Sequence, residues 1–353
     1  MQQYLDSYAD DGICVEGAAY WGFGFGFFVT YALLQRELTN GECDWFKDPK
    51  VKSISQYIQK MFLQKKVITT FGDCNTKEGY WIGLPHALRS VYGDEIEKLP
   101  SDAGTIIAYT HFAFSLRSVI YYNPEYVADK LKESVVNHVK GSNYFTMRNK
   151  NYGFATKGRN NGESHNHIDV GAFILARNEK QIICDLGAGS YDEGYHSDKR
   201  YTFFHPSAYS HSMPIFNGVG EDSYRREDVI VEYDENTKTA YLNITNGYGA
   251  ECVKKVERYF TFEENKLTLR DVFDVQNGTE IKERFVTQIK PEVNGKYVTI
   301  EDVRMYPNCE AEPLITVENV KTHFGTWVDV YCIDYILPAN TNEVIVTFEI
   351  LEK

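Results

Sequence analysis

The chain has 353 residues, of which 43% are hydrophobic and 25% are charged, a composition typical of a soluble globular protein with room for two domains. Its formal net charge of -13 argues against nucleic acid or a membrane surface as a partner, since both are anionic. Seven scattered cysteines, never spaced as C-x-x-C, argue against a disulfide framework and a zinc ribbon.

Helices are predicted over roughly the first 135 residues, where apolar residues recur at helical spacing. The predicted helices are Tyr20–Arg36, Val51–Gln64, Leu84–Tyr92 and Pro124–His138. The uncharged run from Ala18 to Leu34 is near the lower length limit for a membrane span and contains several glycines, so it predicts a buried helix instead.

From about residue 142 the pattern changes to short runs of β-branched and aromatic residues that alternate with polar ones. These runs predict strands at Gly171–Ala176, Gln181–Cys184, Val229–Tyr233, Thr239–Ile244, Val256–Phe262, Lys266–Phe273, Lys282–Gln288 and Glu343–Leu351. Helices followed by strands, without alternation, indicate an α+β chain of two domains. We expect a helical domain over residues 1–140 and an all-β domain over residues 141–353.

The segment from Ser164 to Asp169 reads S-H-N-H-I-D and contains two histidines separated by one residue. In an extended segment, His165, His167 and Asp169 would share one face. Two imidazoles and a carboxylate are a suitable ligand set for Zn²⁺. Spacing of this kind is weak evidence alone, because a surface or hydrogen-bonded histidine pair is more common than a metal site.

Two downstream segments strengthen this interpretation. Asp185 ends an apolar strand and precedes a glycine-rich turn, and His211 precedes a hydrophobic strand. A regular hairpin with a two- or four-residue loop would put His167 and Asp185 on opposite faces. We therefore expect a three-residue loop or a β-bulge between them.

Residues 154–218 resemble the signature region of the heparinase II/III-like family of polysaccharide lyases. The matching elements are Gly162–Gly171, Asp185–Tyr191 and His211–Gly218, whose order and spacing make the resemblance specific. Asp11–Gly22 is similar to a helical segment of that family, though less distinctively. The resemblance implies a partial (α/α) toroid followed by an antiparallel β-sandwich, with an acidic polysaccharide or oligosaccharide bound in the cleft between them.

The resemblance also implies roles for individual residues. It implies a Zn²⁺ ion bound by His167, Asp185 and His211. It implies that His165 is a catalytic histidine and that Tyr20 is the tyrosine that acts as acid or base.

Three further residues are predicted substrate contacts. Glu163 precedes the motif and is suited to bind a substrate hydroxyl or to orient His165. Arg159 is one of six basic residues near the motif that would attract a polyanion, the others being Arg148, Lys150, Lys157, Lys199 and Arg200. Tyr191 follows Asp185, although packing is the commoner role of such a tyrosine. An ordinary solvated loop explains the basic residues equally well.

A uronate lyase removes a proton next to a carboxylate and expels the linked sugar, so its site must neutralise that carboxylate and supply an acid and a base. Three other functions fit the sequence. One is a glycoside hydrolase on the same helical scaffold, with Asp73 and Glu16 as candidate carboxylates. The others are a non-catalytic carbohydrate-binding remnant and a metal-dependent hydrolase unrelated to sugars.

The sequence also gives expectations about cellular location and oligomeric state. Unpaired cysteines and the absence of a signal-peptide pattern after Met1 favour the cytoplasm, with a secreted or periplasmic location as the alternative. A homo-oligomer is compatible with the sequence. The sequence does not distinguish between uronate polymers or between endo and exo cleavage.

Overall fold

The helices of the protein lie in the N-terminal part of the computed structural model, which describes residues 1–74, 80–100, 104–105 and 112–352. They are α1 Gln2–Asp6, α2 Ala18–Tyr20, α3 Gly26–Leu38, α4 Pro49–Ser55, α5 Tyr57–Met61, α6 Gly83–Tyr92 and α7 Phe112–Tyr121. A π-helical turn, Trp21–Phe25, connects α2 to α3. None of the described helices is both long enough and apolar enough to cross a membrane.

The helix predictions hold for α3 and α6, hold in part at Val51–Gln64 and fail at Pro124–His138. The run predicted at Val51–Gln64 divides into α4 and α5, and its end is a short strand. The helix predicted at Pro124–His138 is wrong, because a single 3₁₀ turn follows Asn123 and a strand occupies Val135–Val139. The β-branched pair Val135-Val136 favours the strand, and pairing with the next strand outweighs the helical spacing.

A five-stranded antiparallel sheet begins the β region and has its strands in sequence order. They are β5 Val135–Val139, β6 Tyr144–Arg148, β7 Gly153–Lys157, β8 Phe173–Arg177 and β9 Lys180–Ile183. Two small sheets precede it, formed by β1 Phe62–Gln64 with β2 Val67–Ile68 and by β3 Tyr80–Trp81 with β4 Gly104–Thr105.

Two further antiparallel sheets, of four and eight strands, complete the chain. The four-stranded sheet has the order β10 Pro214–Phe216, β15 Ile281–Thr287, β20 Trp327–Ile336 and β19 Pro313–Lys321. The eight-stranded sheet has the order β11 Val231–Asp234, β12 Thr239–Asn243, β13 Val253–Phe262, β14 Lys266–Val275, β21 Glu343–Ile350, β18 Val303–Pro307, β17 Tyr297–Ile300 and β16 Glu292–Asn294. Burial alternates along β13 and β14, so each has one face in the core.

The three central strands of the five-stranded sheet, β6 to β8, are buried on both faces and separate two hydrophobic cores. On β7, Phe154 packs into the core of the β region, whereas Ala155 packs into the core formed by the helices. Successive side chains of a strand point to opposite faces, which explains this division. The loop that follows β7 therefore begins where the helices and the sheets meet.

The α+β class is confirmed by these elements. The strand pattern begins at β5, slightly before the position expected from the sequence. The division into domains at residues 140 and 141, and the partial toroid, stay predictions.

Candidate functional site

The histidine motif lies in the loop between β7 and β8 and is not extended. His165 has a φ of 52°, in the left-handed region, so the expectation that His165, His167 and Asp169 share one strand face is wrong. Asp169 lies instead 2.7 Å from the Nζ atom of Lys157, and both side chains are buried. The buried cation takes this carboxylate away from the histidines.

Three of the predicted residues do meet in space. His167, Asp185 and His211 are all buried, and each offers a ligand atom within 4.8 Å of the others. The Nδ1 atom of His211 lies 3.1 Å from Oδ2 of Asp185. These side chains also present four buried atoms without a hydrogen-bond partner: His167 Nδ1, Asp185 Oδ2, and both ring nitrogens of His211.

Unpaired buried polar atoms are costly, at about 1–3 kcal/mol each. A divalent cation binds where several such atoms point toward one position, and two imidazoles and one carboxylate supply them here. The donor set of His167, Asp185 and His211 therefore fits a metal ion. We call these three residues the metal cluster.

A β-bulge interrupts the hairpin that precedes Asp185. The β8–β9 hairpin turns through the two residues Asn178 and Glu179, and the pairing shifts between Leu175 and Ala176, which leaves Ile182 as an additional residue. The bulge expected from the sequence is therefore confirmed. The reason given for it does not apply, because His167 lies in an irregular loop outside β8 and the two side chains share no strand face.

A buried arginine in the eight-stranded sheet connects both loops of the site. Arg258 donates to the carbonyl of Gly171, at the end of the histidine loop, and to that of Ser212, next to the second histidine of the metal cluster. It also pairs with Asp271 and Glu283. Burial, together with the neighbouring Asp271, raises the pKa of the Glu283 carboxyl. The core of the sandwich thus fixes the two loops relative to each other.

Asp73 is the shared hydrogen-bond acceptor of the site. Its Oδ2 atom lies 2.9 Å from Nδ1 of His165, and its Oδ1 atom lies 3.2 Å from Nε2 of His167. Tyr195 and Arg200 also donate to Oδ1, at 3.1 and 2.8 Å. Although burial acts to raise it, the hydrogen bonds from the two histidines and the arginine hold the pKa of Asp73 well below its usual range. Its carboxyl is therefore ionised.

An ionised carboxylate only accepts hydrogen bonds, so Asp73 determines which nitrogen of each histidine carries a proton. His167 donates from Nε2, which leaves a lone pair on Nδ1, the atom that faces the metal cluster. His165 donates from Nδ1, which leaves the lone pair of Nε2 free to accept a proton. A carboxylate behind a ligating imidazole is the usual arrangement in metal sites.

The sequence did not indicate this role for Asp73, for which a cleft-lining position, a helix cap and a hydrolase carboxylate were all candidate roles. His165 is 92 positions away along the chain, so no local pattern connects the two. The one local signal is Gly72, whose φ of +72° places the loop close to the carbonyl of His165. A Cβ atom at Gly72 would lie 3.3 Å from that oxygen in a strained conformation.

The cleft cluster, formed by His165, Tyr20, Tyr191 and His196, is more exposed than the metal cluster. The rings of Tyr20 and His165 are 4.3 Å apart, and the hydroxyls of Tyr20 and Tyr191 are separated by 3.2 Å. His196 lies 4.5 Å from the ring of Tyr191. Burial raises the pKa of both tyrosines, so their hydroxyls keep their protons at neutral pH.

Asp73, His165 and His196 also offer ligand atoms within 4.8 Å of one another. The oxygens of Asp73 already accept hydrogen bonds from two histidines, a tyrosine and an arginine. This second group is accordingly a hydrogen-bond network, and it does not resemble the metal cluster with its unpaired atoms.

The other residues predicted to contact substrate mostly form ion pairs with neighbouring residues of the protein. Arg159 pairs with Glu163, and burial raises the pKa of that glutamate. Three of the other basic residues expected to attract a polyanion are ion-paired, as Lys150–Glu264, Lys157–Asp169 and Arg200–Asp73. Arg148 donates to backbone carbonyls. Neighbouring carboxylates therefore neutralise most of the positive charge near the motif.

Comparison with family models relates the chain to one family. The model of the heparinase II/III-like C-terminal family matches residues 133–348. No curated protein matches the chain.

Solved structures show the same fold. Heparan sulfate lyase HepC from Pedobacter heparinus matches over 100% of this chain and 55% of its own, with 10% identity and a TM-score of 0.71. A crystal structure of heparinase III matches over 99% and 56%, with 14% identity and a TM-score of 0.72. A chondroitin AC lyase from Streptomyces coelicolor A3, in complex with chondroitin sulphate, matches over 89% and 50%, with 9% identity and a TM-score of 0.50. The chain spans about half the length of these structures.

Proposed function

Because the chain belongs to the heparinase II/III-like family, we propose that it is a lyase that cleaves a uronate-containing acidic polysaccharide or oligosaccharide by β-elimination. The observation that carries the proposal is the position of Asp73 between the two histidines. One carboxylate fixes His165 toward the cleft and His167 toward the metal cluster.

In the proposed reaction His165 is the base and Tyr20 is the acid. The free lone pair on Nε2 of His165 takes the proton next to the substrate carboxylate, and the electrons of that C–H bond form the new C=C bond. The bond to the leaving sugar oxygen breaks, and the Tyr20 hydroxyl donates its proton to that oxygen. Burial raises the pKa of Tyr20, so its hydroxyl carries a proton before the reaction, as a proton donor must. Proton exchange between the neighbouring rings then restores both groups.

We propose that His167, Asp185 and His211 hold one Zn²⁺ ion, because two imidazoles and a carboxylate are a donor set that zinc prefers. Such an ion would add net positive charge behind the cleft, where most of the basic side chains are neutralised. The chain's own residues do the rest: Asp73 orients one ligand, and Arg258 holds the loops that carry two of them.

The proposed substrate is a glycosaminoglycan or another uronate polymer. The similar structures include a heparan sulfate lyase and a chondroitin AC lyase bound to chondroitin sulphate, which supports this class. The hydrolase alternative is weaker, because Asp73 is buried and its oxygens are occupied by hydrogen bonds. Tyr191, Glu163 and Arg159 remain proposed substrate contacts.

The proposal is tested by the absorbance of the unsaturated product at about 230 nm, which elimination gives and hydrolysis does not. We expect wild-type protein to raise this absorbance with heparan sulfate, chondroitin sulphate or alginate. His165→Ala and Tyr20→Phe should each lower turnover by about 10²–10⁴-fold, while the metal content stays unchanged. Release of reducing ends without absorbance would favour a hydrolase. Absence of any product from all three polymers would overturn the proposal.

A further inference from the structure

The tip of the β19–β20 hairpin lies beside the cleft cluster, although no motif in the sequence indicated it. The backbone N–H of Ser190 donates to the carbonyl of Lys321 at 3.1 Å, and an isolated β-bridge joins Gly189 to Thr322. Nδ1 of His323 donates to the carbonyl of Gly189 at 3.4 Å. The segment that follows Asp185 therefore holds this hairpin in place, so its tip has a fixed position relative to the metal cluster.

An unbroken row of rings leads from the cleft to this tip. The Tyr191 hydroxyl contacts that of Tyr20, and the ring of Tyr191 lies 4.6 Å from the ring of His323. The next ring, that of Phe324, lies 5.5 Å from His323. The row thus extends the cleft past the reacting groups in one direction.

Trp327 is placed near the same row by the register of the hairpin. It pairs directly with Lys321, so the two side chains share one face of the sheet. Nζ of Lys321 lies 3.3 Å from Oδ1 of Asp192, the residue after Tyr191, and this contact shows which way the shared face points. The neighbouring Val320 is buried on the opposite face.

These aromatic side chains are unusually open to solvent. Phe324 is 50% exposed and Trp327 is 62% exposed, although burial of either ring would be favourable. An aromatic ring with a free face is suited to pack against the C–H face of a sugar. Continuity with the cleft favours a saccharide over a protein as the occupant.

We propose that His323, Phe324 and Trp327 form a subsite for a sugar residue of the polymer that lies beyond the bond to be cleaved. This inference rests on the proposed function, and it assigns the subsite to a sugar residue of the same acidic saccharide. The subsite supplies binding energy at a distance from the reacting atoms. Its loss should therefore weaken the binding of long substrates and leave the chemical step unaltered.

The first experiment compares steady-state kinetics on a decasaccharide and on the shortest oligosaccharide of the same polymer that wild-type protein still cleaves. Phe324→Ala and Trp327→Ala should each raise KM for the decasaccharide about 5–10-fold, with kcat within about two-fold of wild type and no change for the shortest substrate. Tyr297→Ala, which removes an exposed aromatic ring from the eight-stranded sheet, is the matched control and should change neither value. Unchanged KM in both hairpin variants would overturn the subsite and leave the lyase proposal standing.

The second experiment measures binding without turnover. Titration calorimetry of the His165→Ala protein with decasaccharides of heparan sulfate, chondroitin sulphate and alginate gives an affinity independent of catalysis. Addition of Trp327→Ala should weaken the tightest of these about 5–10-fold. If wild-type protein forms no unsaturated product, the function proposal fails, but the subsite is still judged by this comparison. Equal affinities, or no binding of any decasaccharide, would overturn the subsite.

Discussion

The metal cluster and the cleft cluster are built from neighbouring residues but have opposite environments. His167, Asp185 and His211 are almost completely buried and keep several atoms without a hydrogen-bond partner. His165 and Tyr20 are partly open to solvent, with ring and hydroxyl contacts on the cleft side. Two histidines one residue apart thus enter different surroundings, because the left-handed conformation of His165 turns the backbone between them.

Asp73 joins the two clusters and keeps them distinct. It accepts from one nitrogen of each histidine, and in each case the other nitrogen is left for a separate task. Changes confined to one cluster should therefore spare the other, whereas a change at Asp73 should affect both. The following predictions test that separation.

The largest expected effect is on stability when the metal cluster is broken. His167→Ala should lose the bound metal and, where free metal exceeds Kd about 1,000-fold, lower the free energy of unfolding by about 4 kcal/mol. Chelation of wild-type protein should give a similar loss. Metal analysis and thermal unfolding measure both effects. His196→Ala, which removes an exposed histidine of the cleft cluster, is the control and should keep its metal. A full metal equivalent in His167→Ala would refute the assignment.

A change at the shared acceptor should affect both clusters. Asp73→Asn keeps the size of the side chain but removes the charge that orients the imidazoles. We expect metal affinity to fall about 10–100-fold and turnover to fall about 100-fold. The control is Asp198→Asn, an exposed carboxyl in the same part of the chain. If turnover falls while metal affinity stays at the wild-type value, the two clusters are not joined through Asp73.

The smallest effect concerns the support beneath the histidine loop. Glu221 is buried and accepts from the Asn161 side chain and from the N–H of Val170. Burial raises its pKa to about 8, so it is neutral in the folded protein at lower pH. Its carboxyl ionises more readily in the unfolded chain, whose pKa is lower, so stability is fully present below that lower pKa. This stability is lost as the pH rises through about 8.

Between pH 6 and pH 8 the loss attributable to Glu221 should be about 2 kcal/mol. Glu221→Gln stays neutral, so its unfolding free energy should depend less on pH over this range. Urea unfolding at several pH values measures the difference. The same slope in both proteins would show that Glu221 does not titrate as described. Metal content should be unaffected, because Glu221 supports the loop from outside the metal cluster.

Part of the fold and site could be predicted because the signals are local. Periodicity predicts the helices α3 and α6 and several strands of the β region. A bulge before Asp185 was also expected and is present. The helix predicted at residues 124–138 failed because its segment pairs with a strand, a non-local contact. Asp169 was grouped with the histidines because the spacing assumed an extended backbone, whereas Lys157 pairs with it in the core.

By itself the sequence determined the α+β order, because periodicity is written along the chain, and its family resemblance indicated the three residues of the metal cluster. Only the tertiary structure decided that Asp73 lies between the two histidines and that the β19–β20 hairpin ends beside Tyr191. These contacts join residues more than 90 positions apart, and burial against other elements fixes them. Hydrogen bonds to one buried carboxylate then explain why neighbouring histidines have different proposed roles, a division that the sequence indicated only through its family resemblance.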